Sequence, residues 1–291
     1  MAITYQSEYG ELKSVLLKHP KSAFLNNEYL QANWQDLNYL AKPDLIKAND
    51  EYEQFIEIFE SRGITTHFLQ EDKTTGMDSI YVRDASIVSN DGILICNMGK
   101  DQRKNEPKTQ LQHYLQEGYS ILGSFQGEAT IEGGDVAWIN EQTLAVAHGY
   151  RTNEEGINHL KELLRNTADV VVMQAPHYKG PQDVFHLMSV LSPIDKDLAV
   201  VYSPLMTVPF RNFLIKQGIS FVEVPDEEFE TMGCNVLAIA PRVCVMVKGN
   251  PITKARLEKA GVEVIEFSGD EISLKGSGGP TCLTRPLKRV V

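Results

Sequence analysis

Ile252-Thr-Lys-Ala-Arg-Leu-Glu-Lys-Ala260 runs into Gly261-Val-Glu-Val-Ile-Glu-Phe267, and this junction sets the pattern of the whole chain. The first segment is made of good helix formers. Gly261 accepts the left-handed backbone that ends a helix cheaply. The second segment alternates apolar and acidic residues with the period of a β-strand. The same order recurs upstream. Pro43 to Arg62, with Leu45, Ile46, Tyr52, Phe55, Ile56 and Phe59 near helical spacing, precedes Gly63-Ile-Thr-Thr-His-Phe-Leu69. Asn105 to Glu117 precedes Gly118-Tyr-Ser-Ile-Leu122, and Asn153 to Arg165 precedes Ala168-Asp-Val-Val-Val-Met173. Val208 to Gln217 precedes Gly218-Ile-Ser-Phe-Val-Glu-Val224.

The small residues at 63, 118, 168, 218 and 261 are thus about fifty residues apart. Between them lie strand-like runs at Val15–Leu17, Ile80–Val82, Ile93–Ile95, Val136–Ile139, Leu198–Val201 and Val243–Val247. Each unit reads as strand, strand, helix, strand. An even period of this length signals a solenoid, propeller or array. A doubly wound α/β protein also alternates strand and helix, but the chain has no Gly-x-Gly-x-x-Gly and such a fold gives no reason for the even spacing. The expectation is an α/β domain of ββαβ units spanning residues 1–291.

Composition narrows the function classes. A chain of 291 residues that is 42% hydrophobic and 23% charged is globular in make-up. Its longest apolar runs, such as Ala168 to Met173, are too short to cross a bilayer, and its first eight residues carry no signal-peptide pattern. A net charge of −11 argues against nucleic acid and is compatible with a cationic small molecule or with simple solubility. The four cysteines form no C-x-x-C pair and no zinc-like spacing. Cys96, Cys234 and Cys244 lie in or beside apolar stretches and read as packing residues. A reducing cytoplasm is the expected compartment, with no metal, no cofactor and no membrane partner. Homo-oligomers are compatible with all of this.

Cys282 is different. It ends the loop Gly276-Ser-Gly-Gly-Pro-Thr-Cys282, where three glycines and a proline allow close backbone approach. Other polar residues share its phase: Asp84 lies 21 residues after Gly63, Glu132 14 after Gly118, His186 18 after Ala168, Asn235 17 after Gly218, and Cys282 21 after Gly261. If the units wheel around an axis, these positions converge on it. His186, in Asp183-Val-Phe-His186-Leu-Met, reads by itself as a core histidine in an apolar strand; beside a cysteine it is the natural general acid and base. Ile131-Glu132-Gly-Gly-Asp135 reads either as a solvated turn or as a carboxylate, Glu132, that orients the histidine. Asp135 then serves a ligand or closes the turn. Asp84, at an expected strand end in Met77-Asp78-Ser-Ile-Tyr-Val-Arg83-Asp84, forms a surface pair with arginine or binds a planar cation. Arg103 and Arg151 are exposed charges or partners of a substrate carboxylate.

The motifs Asp78-x-x-x-Val82-Arg83-Asp84, Glu132-Gly-Gly-Asp135, Arg151-Thr-Asn153, His186-Leu and Gly278-Gly-Pro-Thr-Cys282, in this order, resemble the guanidino-group-modifying superfamily. Within it, the chain is similar to dimethylarginine dimethylaminohydrolases and arginine deiminases over nearly its whole length. The resemblance implies the pentein fold, a five-bladed αβ-propeller. It implies Cys282 as nucleophile, His186 as general acid and base, and Glu132 as the carboxylate partner of the histidine. Asp84 then holds the guanidinium, Asp78 is another substrate contact, and Arg103 and Arg151 clamp an α-carboxylate. The implied partner is a small guanidino amino acid, hydrolysed at a guanidino C–N bond to citrulline plus ammonia or a methylamine. Two positions depart from the relatives. Met188 stands where deiminases carry a second guanidinium-gripping aspartate, and Arg83 is deiminase-like where dimethylarginine hydrolases have glutamate. An amidinotransferase of the same superfamily is the first rival, and a non-catalytic pentein binding protein the second. Asn26 to Trp34 is the stretch expected to cover the site.

Overall fold

Asn153 shows how the local sequence builds a unit. Its side chain accepts the N–H of Gly156 at 2.8 Å, which caps the helix Glu154–Leu164, and it also accepts the N–H of Thr130 at 3.1 Å. Ile157, Leu160 and Leu164 then bury one stripe of that helix against the sheet formed by Val136–Asn140, Thr143–His148 and Asp169–Gln174. The first two of these strands are antiparallel, and the third returns parallel to the second after the helix.

The computed structural model describes residues 3–183 and 185–291, and this unit recurs through them. Ser86–Ser89, Gly92–Ile95 and Ile121–Ser124 form a second such sheet, crossed by the helix Glu106–Gln116. Leu191–Asp195, Leu198–Val201 and Ser220–Glu223 form another, with helix Val208–Lys216, and Leu237–Ala240, Val243–Val247 and Glu263–Phe267 a fourth, with helix Pro251–Lys259. The remaining sheet is assembled from both ends of the described chain. Arg285–Val290 lies between Ile3–Thr4 and Glu11–Leu17, and Thr65–Phe68 follows in parallel after helix Leu45–Glu60. The fold is therefore mixed α/β, with five small sheets among the described residues.

The five helix-to-strand junctions lie where the glycine signals put them. Gly63, Gly118, Gly218 and Gly261 all have φ between 68° and 80°, the left-handed values a helix terminator needs. Neighbouring sheets share apolar clusters in cyclic order. Ile87 and Leu94 pack with Trp138 and Leu144, Ala137 and Ala145 with Leu191 and Val201, and Val200 and Val222 with Val236 and Met246. Leu237 and Val245 pack with Val15 and Leu17, and Leu16 and Leu287 with Val88 and Ile95.

Two expected strands are absent. Ile80–Val82 ends a short 3-10 turn, Met77–Ile80, and continues as a turn, while His186 precedes the 3-10 turn Leu187–Ser189. Ile80–Val82 and residues 186–188 are buried without pairing in a sheet. No helix of the described residues is long and apolar enough to cross a membrane. The cap predicts a measurable effect: Asn153→Ala should cost about 1–2 kcal/mol and lower the midpoint of thermal unfolding by a few degrees, without changing the far-UV signature of the fold.

Candidate active site

Asp84, Glu132, His186, Asn235 and Cys282 each sit just before the first strand of their sheet, which begins at Ser86, Val136, Leu191, Leu237 and Arg285 respectively. The shared sequence phase is thus a shared structural position. Asp84, His186, Asn235 and Cys282 line one cavity of about 310 Å³, with Asp78, Lys100, Arg151 and Met188 also in its wall. Such a volume suits a ligand of amino-acid size.

The glycine loop before Cys282 packs where a side chain could not. A Cβ on Gly278 would collide with the Tyr81 ring, and one on Gly279 would lie 2.5 Å from Asn235 Oδ1. Cys282 remains partly exposed, whereas Cys96, Cys234 and Cys244 are buried. Burial raises the thiol pKa of Cys282 above its ordinary value and the Asp84 carboxylate adds to this. Hydrogen bonds from Asn235 and Thr281 and the charge of Arg83 oppose the rise.

His186 Nε2 is 2.7 Å from Glu132 Oε2, and its Nδ1 faces Asp84 Oδ1 at 3.8 Å. Glu132 is fully buried, and its other oxygen accepts the backbone N–H groups of Gly99 and Lys100 at 3.0 and 3.1 Å. Its Oε2 also meets Arg151 Nη1 at 3.5 Å. Burial by itself would lower the imidazole pKa, but Asp84, Asp135 and Glu132 outweigh it and raise it to about 9. Burial would raise the Glu132 pKa, yet the bond to His186 and the nearby arginines bring it to about 2. The pair is therefore imidazolium and carboxylate at neutral pH. Gly134 makes this approach feasible, since a Cβ there would lie 2.5 Å from His186 Nδ1 and 2.6 Å from Asp84 Oδ1.

Asp84 is held from one side only. Its Oδ2 accepts from Arg103 Nη1, and its Oδ1, though buried, has no hydrogen-bond partner. Arg103 is anchored by the protein itself. Its guanidinium donates to both oxygens of Glu106, at 2.9 and 2.8 Å, and to the Tyr81 carbonyl at 2.9 Å as well as to Asp84. It is 4% exposed and positions Asp84, and it also borders the cavity, as Arg151 does. Asp135 closes its turn, accepting Thr152 Oγ1–H at 2.6 Å and the Leu187 N–H at 3.3 Å, and is not part of the cavity wall. Burial raises its pKa to about 6. Asp78 is paired with Lys100 Nζ at 2.6 Å. Arg83 ties the N-terminal segment to the cysteine loop, through Glu8 at 3.1 Å and the Thr281 carbonyl at 3.1 Å. Asn26 to Trp34 does not cover the cavity. It contains the helix Asn27–Asn33, and the cavity is lined instead by Leu37, Asn38 and Leu40 and by Tyr178, Lys179, Gln182 and Asp183.

Glu106, Lys100 and Asn235 carry weight that motif reading does not assign. Glu106 stands three residues after Arg103 at a helix start, a spacing that foretells their pairing. Asp84, Glu132 and His186 offer ligand atoms within 4.8 Å of one another, as a metal site would. Both oxygens of Glu132 are already engaged, so a cation there would displace the bond that orients the imidazole.

These features are those of the guanidino-group-modifying superfamily. A family model described as N,N dimethylarginine dimethylhydrolase, eukaryotic, matches residues 19–289, and the chain belongs to that family. It is 27% identical to the uncharacterized protein YkgA of Bacillus subtilis over 287 residues, 98% of this chain and 94% of that one. It is 30% identical to an arginine deiminase of Mycoplasma capricolum over 197 residues, 56% of this chain but 48% of the deiminase. The chain thus spans about half the length of that deiminase. SxtG, an amidinotransferase from Microseira wollei, has a similar structure, with TM-score 0.79 at 16% identity, covering 99% of this chain and 98% of that one.

The His186–Glu132 pair sets a pH dependence. The imidazole pKa is raised from 6.5 to about 9, so its contribution to stability is complete below 6.5 and lost as pH rises through 9. The carboxyl pKa is lowered from 4.5 to about 2, so its contribution holds above 4.5 and is lost as pH falls through 2. Thermal stability should therefore plateau between 4.5 and 6.5 as far as this pair decides it. Glu132→Gln should lower the imidazole titration midpoint read by NMR; an unchanged midpoint would show that the carboxylate does not hold the proton on His186.

Proposed function

We propose that this protein hydrolyses a guanidino C–N bond of arginine or an Nω-methylated arginine, giving citrulline plus ammonia or a methylamine through a covalent Cys282 thiouronium. The observation that carries the reading is the buried, unpartnered Asp84 Oδ1 in the cavity that also holds Cys282 and His186. A guanidinium is the planar cation such an oxygen can grip. Family membership and kinship to arginine deiminases support the same reaction class.

The steps follow from the charges. Substrate binding neutralises Asp84, which removes one of the influences that keep the thiol protonated, and the thiol proton leaves to solvent. The thiolate attacks the guanidinium carbon. His186 Nε2 is committed to Glu132, so Nδ1 is the nitrogen that donates a proton to the departing amine. Loss of the amine leaves a thiouronium, and the now neutral imidazole takes a proton from the attacking water. Collapse of that adduct breaks the C–S bond, returns the thiolate and releases the ureido product. The cavity face beside His186 carries Met188 in place of a second carboxylate, an apolar edge suited to an N-substituted leaving amine. Arg103 and Arg151, which both border the cavity, are the arginines for an α-carboxylate.

The cyclic order of shared apolar clusters supports a single five-bladed αβ-propeller of the pentein type, with the strand starts at its axis. The free cysteines fit a reducing cytoplasm. An amidinotransferase is the second reading, favoured by the likeness to SxtG; product formation that requires an added amine distinguishes it.

The test is a citrulline assay on L-arginine, monomethylarginine and asymmetric dimethylarginine. Cys282→Ser should remove turnover by about 10³-fold or more, and Asp84→Asn should lower kcat/KM by about a hundredfold. Turnover by Cys282→Ser at the parent rate would refute the assignment, and silence of the parent enzyme on all three substrates would refute the substrate class.

A further inference from the structure

Asn235 precedes the strand Leu237–Ala240 at the same structural position as Asp84 and His186 precede theirs, but none of the motifs gives it a role. It is 6% exposed and lines the cavity. Its amide orientation is fixed by its neighbours. The backbone N–H of Thr281 can only donate, and it lies 3.0 Å from Asn235 Oδ1; Thr281 Oγ1 lies 2.7 Å from the same oxygen. The amide oxygen therefore faces Thr281, and Nδ2 is left to face Cys282 Sγ, at 3.3 Å.

We propose that Asn235 is a catalytic residue, whose Nδ2–H hydrogen bond holds the Cys282 sulfur in place and stabilises it as a thiolate. The arrangement is a frame on two adjacent residues. Oδ1 fixes the backbone at Thr281 and Nδ2 meets the next residue's sulfur, so the donor cannot drift without breaking two other bonds. Gly279 lets the loop close over the amide, since a Cβ there would lie 2.5 Å from Oδ1. The chemistry is needed because the surroundings of the sulfur are otherwise unfavourable to charge. Burial and the Asp84 carboxylate both disfavour the thiolate, and the hydrogen bond from Asn235 acts the other way. A neutral donor suits this place. A lysine or arginine there would compete with a cationic substrate for Asp84, whereas an amide N–H aids the sulfur and leaves Asp84 Oδ1 open.

This inference rests on the reading of Cys282 as the nucleophile, but its test needs no substrate. The rate of Cys282 alkylation by iodoacetamide is followed from pH 5 to 11, with the modified peptide identified by mass spectrometry. In the parent protein the rate rises with the thiolate fraction. Asn235→Ala should move the midpoint up by about one unit, roughly a tenfold slower reaction at neutral pH. Asn235→Asp is the decisive variant because it keeps the shape and an acceptor for Thr281 while replacing the donor with a carboxylate oxygen. Its midpoint should rise further than that of the alanine variant, by about two units. An unchanged midpoint in Asn235→Asp, with parent-like thermal unfolding, would overturn the proposal and leave Asn235 as a packing residue. If Asn235→Ala does not fold, Asn235→Asp decides alone. A shifted midpoint together with no turnover of guanidino substrates would keep this role for Asn235 while removing the substrate assigned above.

Discussion

The fold has to hold several carboxylates out of water at one point, and the pairing of those charges is the constraint on which the rest depends. Asp84, Glu132, Asp135 and Glu106 are all buried. Left unpaired, such groups would take up protons or pull water into the core. Each is answered within a few ångströms: Asp84 and Glu106 by Arg103, Glu132 by His186 and two backbone N–H groups, and Asp135 by Thr152 and the Leu187 N–H. Among these groups one oxygen, Asp84 Oδ1, has no hydrogen-bond partner, and Asp84 lines the cavity that Cys282 also lines. Among these four carboxylates, the site is where the pairing stops.

That arrangement explains why fold and chemistry are difficult to separate in this chain. The residues that answer charges also tie units together. Arg103 links the turn before the second sheet to its crossover helix through Glu106, Arg83 links the N-terminal segment to the cysteine loop, and Arg151 leans on Glu132 from the segment after its own sheet's hairpin. A substitution at any of these changes geometry before it changes chemistry, so structural and catalytic losses must be read with separate measurements.

Much of the architecture was legible in the sequence, because the signals were local. The five helices lie within two residues of the ranges expected from glycine ends and apolar spacing, and the order strand, strand, helix, strand holds. The polar residues fell at one phase because each sits at the entry to a first strand. What could not be read was direction and partnership. Periodicity does not say that Ile80–Val82 is buried in a turn, or that Arg103 faces inward to Glu106. Asp135 looked like a ligand contact because the motif places it beside Glu132; only the position of Thr152, seventeen residues on, shows that it closes a turn. The strand Arg285–Val290 escaped notice because its basic residues break the apolar pattern. Arg285 and Arg289 are buried there on backbone carbonyls of distant segments.

That last strand has a consequence for how the molecule comes into being. It pairs with Glu11–Leu17, so that sheet cannot be finished until Arg285–Val290 has been made. Cys282 lies three residues before it. Synthesis therefore delivers Cys282 and the closing strand together, after Asp84, Glu132 and His186 have been made. Contacts between parts of a chain far apart in sequence form slowly, and the loop that carries the thiol rests on walls made earlier, Tyr81 and Asn235. Of the five residues at the strand entries, Cys282 is thus the last to be made, and its loop closes onto residues made before it.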